Sequence, residues 1–317
     1  MRDLKLARGR LGARAFTEAG EGGFPENFQD SDLTDATVNH LLEHLEVIVG
    51  DRSPFTAPEH LERVGRYIVE QFVDLGLQPV KETVTLDGLE SFNVLAGVEG
   101  RNSGAPPVLI GAHYDSVPDC PGADDNASAV AALLEIGRCL VENPPAGPVT
   151  LVAFALEESG FVGSDALVQR MCLENQTLGG MISLEMLGYT DRRPGSQQYP
   201  PLVDPSRYPD TGDFIAVVGN EPSVRLVQSV VAGMKGAEPG LGVESLVVPG
   251  EGDLIPDVRR SDHVSFWQAG YPAVMVTDTA NFRNPHYHQP TDTLDTLDLE
   301  FLGQVTRGLA GFLQTGV

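Results

Sequence analysis

Cysteine, basic residues and long apolar runs are all scarce in this chain, and each scarcity excludes something. Three cysteines occur in 317 residues, Cys120, Cys139 and Cys172. An odd count at irregular spacing argues against a disulfide framework and agrees with a reducing compartment. No apolar run approaches the roughly 18 to 20 residues of a membrane span, because Gly, Pro or acids break the longest candidates. The opening stretch MRDLKLARGRLGARAF is basic but lacks the apolar core and small-residue cleavage site of a secretory signal, so a cytoplasmic location is expected. Lys and Arg number 21 against 45 Asp and Glu, a formal net charge of −24. Such a surface repels phosphate backbones and anionic lipid, so neither nucleic acid nor membrane is an expected partner. The acidity serves solubility first and cation binding second.

A hydrophobic fraction of 41% over this length suits a soluble protein with a sizeable core. Residues 1–32 are rich in Gly, Arg and Glu without a period and read as a peripheral arm. Two amphipathic helices follow, in SDLTDATVNHLLEHLEVIVG and in APEHLERVGRYIVEQFVDLGL, the second with Leu61, Val64, Ile68 and Phe72 on one stripe. VKETVTL and SFNVLAGVEG, separated by DGLE, read as a strand pair. After Pro107 the texture becomes α/β. VLIGAHYDS, VTLVAFALEE, GGMISLEMLG, DFIAVVGNE and YPAVMVTDT are expected strands. NASAVAALLEIGRCLVEN, PSVRLVQSVVAGMKG and LEFLGQVTRGLAGFLQTG are expected helices. The pattern predicts an α/β domain over 33–317 with a central, mostly parallel mixed β-sheet flanked by helices on both faces. No internal repeat or long linker divides it. The Pro- and Tyr-rich insertion at 189–212 is expected to be a loop, of the kind that shapes pockets at strand ends.

In an open α/β sheet, ligands bind beyond the carboxyl ends of the strands. Several strands here stop in metal-ligand residues: His113 and Asp115, Glu157 and Glu158, Glu185. Asp124 and Asp125 precede a helix, and His286 and His288 lie in the loop after YPAVMVTDT. Singly, each is more commonly a cap or a turn residue. Together, two His and at least three carboxylates on separate strand ends suit a pair of divalent ions with a shared Asp and open positions for water.

The motifs GAHYDS, PGADDNASA, ALEESGFVGS, SLEMLGY, RSDHVSFWQAGYPA and YHQPTDT, in that order, resemble the co-catalytic zinc aminopeptidases of metallopeptidase family twenty-eight. The resemblance spans roughly residues 33–317 and implies the zinc-exopeptidase fold, two zinc ions per chain and peptide substrates with a free N-terminus. It implies that His113 and Glu185 hold one zinc, Glu158 and His288 the other, and that Asp125 bridges them. Glu157 would be the general base, and Asp115 would accept the other ring N–H of His113. Arg260 and Tyr287 match positions that contact substrate in some members. Two departures stand out: Glu185 where several members have Asp, and Ala129 where Gly is common. Cys120 is expected to be an inert thiol, His286 a rim residue, Asp124 a turn acid, and Asp262 and His263 caps of a short helix. The alternatives are a glutaminyl cyclase-like single-zinc enzyme and a peptidase-like binding module without catalysis. Intact ligand and base positions disfavour both. Oligomeric state and the preferred N-terminal residue are not fixed by the sequence.

Overall fold

The computed structural model describes residues 30–316. Residues 1–29 of the expected arm lie outside the described part, and the remainder of it begins the first helix. Helices α1 (Asp30–Ile48) and α2 (Pro58–Asp74) come first, and the predicted stripe of Leu61, Val64, Ile68 and Phe72 is buried. Strands β1 (Val80–Leu86) and β2 (Leu89–Val98) form a hairpin closed by Asp87 and Gly88, both at positive φ, the geometry a two-residue turn requires.

The remaining elements alternate: β3 (Val108–His113), α3 (Ala129–Glu142), β4 (Val149–Phe154), α4 (Val162–Leu173), β5 (Gly180–Glu185), β6 (Phe214–Asn220), α5 (Val224–Ala237), β7 (Gly242–Val248), α6 (His263–Gln268), β8 (Ala273–Thr277) and α7 (Leu299–Thr315). One sheet runs in the order β1-β2-β4-β3-β5-β8-β6-β7. Four of its pairings are parallel and three antiparallel, so the expected mixed, mostly parallel sheet is present.

Strand periodicity assigns side chains to its two faces. Ile110, Ile182, Val217 and Val276 join the core under α1, α2, α3, α5 and α7. Leu109, Met181, Ala216 and Met275 join the opposite core, with Phe266 and Trp267 of α6. By the same alternation His113, Glu185 and Thr277 share that second face at the carboxyl ends of three adjacent strands. The register confirms the row, since Gly111 pairs with Ser183 and Glu185 with Thr277.

Two elements escaped the sequence reading. Strand β7 has exposed Ser245 and Val247 alternating with half-buried neighbours, so it carries no continuous apolar run. Helix α4 opens on Gly163, Ser164 and Asp165, which disguises its short stripe of Leu167, Val168 and Met171. Strand β4 is also shorter than expected, ending at Phe154 before the acids. No described helix is long and apolar enough to cross a membrane, and all three cysteines are free.

Candidate active site

Glu157 and Glu158 sit in a turn rather than on a strand. Leu156 ahead of them is left-handed (φ 60°), a conformation that costs a non-glycine residue free energy and needs outside support. Asp115 supplies it, accepting the backbone N–H of Glu157 at 3.0 Å on one oxygen and that of Glu158 at 3.1 Å on the other. Asp115 Oδ1 also faces His113 Nδ1 at 3.5 Å. That separation is too long for the expected hydrogen bond, and the ring nitrogen has no partner.

Asp125 comes from the turn between β3 and α3. Gly122 opens it at φ 58°, where a Cβ would run into the Asp125 carbonyl. Asp292 accepts the backbone N–H of both Asp124 and Asp125, at 2.9 and 3.1 Å. Asn126 ties the turn to β5 through Leu184 O and the N–H of Met186. Asp124 is buried too, accepting from Gly188 N–H and the Asn284 amide, so it is the turn acid the sequence suggested. Glu185 Oε2 accepts from Ser261 Oγ at 2.7 Å, and that hydroxyl also meets Ser183 Oγ at 2.9 Å.

These segments converge. His113 Nε2 lies 3.4 Å from Asp125 Oδ1, 3.5 Å from Glu185 Oε2 and 3.9 Å from Glu157 Oε2. His288 Nε2 lies 3.1 Å from Asp125 Oδ2 and 3.3 Å from Glu158 Oε2. Each Asp125 oxygen thus faces a different imidazole. Ligand atoms about 2.0 to 2.1 Å from one tetrahedral ion lie about 3.3 Å from each other, the spacing found here. Both His113 nitrogens, Asp125 Oδ1 and Glu158 Oε1 are buried without a hydrogen-bond partner. Buried polar atoms left unpaired are costly, and a cation beside each imidazole would satisfy His113 Nε2 and Asp125 Oδ1, while His113 Nδ1 faces Asp115. The residues present therefore fit a two-metal group. Glu157 also groups with His113 and Glu185 at metal-ligand spacing, and of the three acids around His113 Nε2 its oxygen is the farthest.

Electrostatics agree. Burial pushes Glu157 well above the usual carboxylate range, with Glu185, Glu158 and Asp262 adding to the effect and His113 opposing it. Burial and Asp125 lift Glu158 to about 7 against the pull of His288. Burial would lower His288, but Asp125 and Glu158 outweigh it and raise the imidazole to about 10. Negative charge is in excess until cations enter.

Tyr287 stacks on His288 with ring centroids 3.8 Å apart, and the Arg260 guanidinium lies 5.3 Å from the Tyr287 ring centroid. Both side chains line the cleft above the acids. Asp262 does not cap α6 with its side chain; it is buried beside the site with both oxygens unpaired. His263 instead bonds to Val258 O. The Cys120 thiol donates to Gln289 O, and burial raises its pKa to about 12, so it is inert. Sequence reasoning missed Arg52, which is fully buried and donates to the carbonyls of Ile48, Gly50, Tyr114, Pro121 and Gly122. It braces the loops that carry Asp115 and Asp125. A basic residue between two helices offers no sequence signal for that role.

A trough of about 780 Å³ opens beside Glu185 and is walled largely by apolar and aromatic side chains. The 189–212 insertion supplies one wall with Tyr199, Val203 and Tyr208.

Comparison with known proteins decides the family. The model of peptidase family M28 matches residues 93–213 and 247–313. The chain belongs to peptidase family M28. All six motifs of the candidate site lie within those two matched segments. The uncharacterized protein YfbL of Escherichia coli K12 is 42% identical to this M28 chain over 266 residues, 80% of each. BSAP, a zinc aminopeptidase from Bacillus subtilis, superposes with a TM-score of 0.53 at 25% identity, covering 72% of the M28 chain and 50% of BSAP. A glutaminyl cyclase of Porphyromonas gingivalis shares the fold, with a TM-score of 0.64 at 20% identity over 90% of this chain and 98% of the cyclase.

Proposed function

We propose that the protein is a dizinc aminopeptidase that hydrolyses the N-terminal peptide bond of peptides. The observation that carries this reading is the Asp125 carboxylate, with one oxygen facing His113 and the other facing His288, while Glu185 lies beside the first imidazole and Glu158 beside the second. His113 and Glu185 would hold one ion, His288 and Glu158 the other, and Asp125 both. When bound, such a pair lowers the pKa of a water and polarises the scissile carbonyl.

The chain's own groups do the rest. Glu157 accepts the proton of the attacking water on a carboxylate oxygen and returns it to the amine nitrogen as the C–N bond breaks. Its raised pKa makes it suited to both steps. Asp115 fixes Glu157 by holding its backbone N–H. Burial also raises the Tyr287 phenol, which keeps its proton available for a developing oxyanion, and Arg260 beside it adds positive charge. The trough next to Glu185 receives the side chain of the N-terminal residue.

A glutaminyl cyclase reading rests on shared fold, and no particular observation favours it. The test combines elemental analysis with turnover of aminoacyl anilides. Two zinc ions per chain and chelator-sensitive release of the amine are expected. Glu157→Gln should keep both ions and lose about 100- to 10,000-fold in kcat. One zinc with pyroglutamate formation would favour the cyclase instead, and metal without any hydrolysis a binding module.

A further inference from the structure

The trough beside the site is apolar along its sides but ends in charge. Its floor is one row across the sheet, in which Glu185 pairs with Thr277, Thr277 with Ala216, and Ala216 with Glu244. All four line the trough. Three inter-strand steps of about 4.8 Å put Glu244 about 14 Å from Glu185. The small Thr277 and Ala216 leave the floor open between the two acids.

Glu244 is half-buried on the edge strand β7, and its carboxylate makes no hydrogen bond or ion pair among the described residues. Of the other polar side chains there, Arg260 has an unpartnered Nε at the end near Tyr287, and the groups closer to Glu244 are engaged. Asp257 faces Arg260 at 3.5 Å, the Tyr199 hydroxyl donates to Pro209 O, and the Tyr208 hydroxyl reaches Ser245 O. Tyr199 and Tyr208 stack with centroids 5.5 Å apart, and both line the trough together with Glu244. An unengaged carboxylate beside two stacked aromatic rings is the chemistry that receives a cation.

We propose that the trough selects N-terminal lysine and arginine, with Glu244 as the specificity-determining partner of the side-chain cation. This rests on the aminopeptidase reading and adds the substrate class. The lengths agree. A lysine side chain reaches about 6 Å from Cα to Nζ, and a charge-assisted hydrogen bond adds about 2.8 Å. That leaves about 5 Å of the row for the Cα–carbonyl bond and the approach to the metal ligands. The energetics agree as well. An apolar occupant strips water from Glu244 and returns nothing, whereas an ammonium or guanidinium replaces the lost hydrogen bonds. An acidic occupant is repelled.

Lysyl and norleucyl anilides share a stem and differ in the cation, so their kcat/KM ratio isolates Glu244. The wild type should favour lysyl and arginyl over norleucyl substrate, and Glu244→Gln should lower the lysyl-to-norleucyl ratio at least about tenfold. A wild type that prefers norleucine, or an unchanged ratio in Glu244→Gln, overturns the assignment. If no anilide is hydrolysed, the peptidase reading fails, and calorimetric binding of L-argininamide and L-leucinamide to the zinc-loaded protein judges the trough alone. Tighter argininamide binding that Glu244→Gln abolishes supports the site; equal binding of the two amides overturns it.

Discussion

Stripping divalent metal with a chelator should lower the stability of the protein, and the loss should grow as pH rises from 5 to 8. Glu158 sets the scale. Its folded pKa is raised from 4.5 to about 7, chiefly by burial, in the metal-free site. A carboxyl whose folded pKa is raised contributes stability that is fully present below its unfolded value and is lost as pH climbs through the folded one. A shift of that size corresponds to about 3 kcal/mol, removed from the metal-free form between about pH 4.5 and 8. Burial raises Glu185 and Glu157 in the same direction. His288, held at about 10 by Asp125 and Glu158 against burial, loses its contribution from its unfolded pKa near 6.5 upward.

Cations held by these groups offset the repulsion, so the zinc-loaded form escapes the loss. His44 and His263, which burial lowers to about 4, shift the acid stability of both forms alike and cancel in the difference. The assay is thermal unfolding of zinc-saturated and chelated protein at several pH values. About 3 kcal/mol corresponds to a gap in Tm that widens by roughly 4 to 5 °C from pH 5 to pH 8. A gap that stays flat, or a chelator without effect, refutes the idea that these acids are ionised only because cations hold them.

Three contacts around the site give further expected outcomes. Ser261→Ala removes the hydrogen bond that aims Glu185 and should weaken zinc affinity about 10- to 100-fold in competition with a chelating dye, with the fold intact by circular dichroism. Arg52→Met removes the guanidinium from five carbonyls, of which Pro121 O and Gly122 O keep a backbone donor, and should cost about 3 to 5 kcal/mol in urea unfolding, without touching a metal ligand. Glu158→Gln should reduce zinc content towards one ion per chain, in contrast to Glu157→Gln.

Helices and strands with one clean period are legible from the order of residues alone. The α2 stripe is read from its helical period and the strands β3, β5, β6 and β8, buried on both faces, from their continuous apolar runs, and strand-end logic points to His113 and Glu185 because sheet faces follow parity. What is not legible depends on backbone conformation and on partners far along the chain. The sequence shows two acids after an apolar run, but not that the strand stops at Phe154, that Leu156 turns left-handed, or that Asp115 grips both following N–H groups. Strand β7 is missed because an edge strand half-exposed on both faces lacks a continuous apolar run, and with it goes Glu244, the far end of the trough. Ser261, Asp292 and Arg52 act through bonds spanning 62 to 168 residues of sequence separation, which local pattern does not encode.

The grip of Asp115 also explains how adjacent Glu157 and Glu158 come to face different imidazoles. On an extended strand they would project to opposite faces of the sheet, and one would be driven into the core beside Phe154 and Phe266. The turn avoids this. Two N–H groups held by one carboxylate fix the peptide planes of both residues, so Glu158 meets His288 while Glu157 stops 3.9 Å from His113. Asp115 is therefore a positioning residue for the doublet, through its two hydrogen bonds. Asp115→Asn replaces one acceptor oxygen by a donor that opposes an N–H, and it should disturb Glu157 and Glu158 together. A loss of both turnover and zinc at the Glu158 site, with Leu156 released to ordinary backbone geometry in a crystal structure of the variant, is the expected result; a variant that keeps its zinc and the left-handed Leu156 would refute this role.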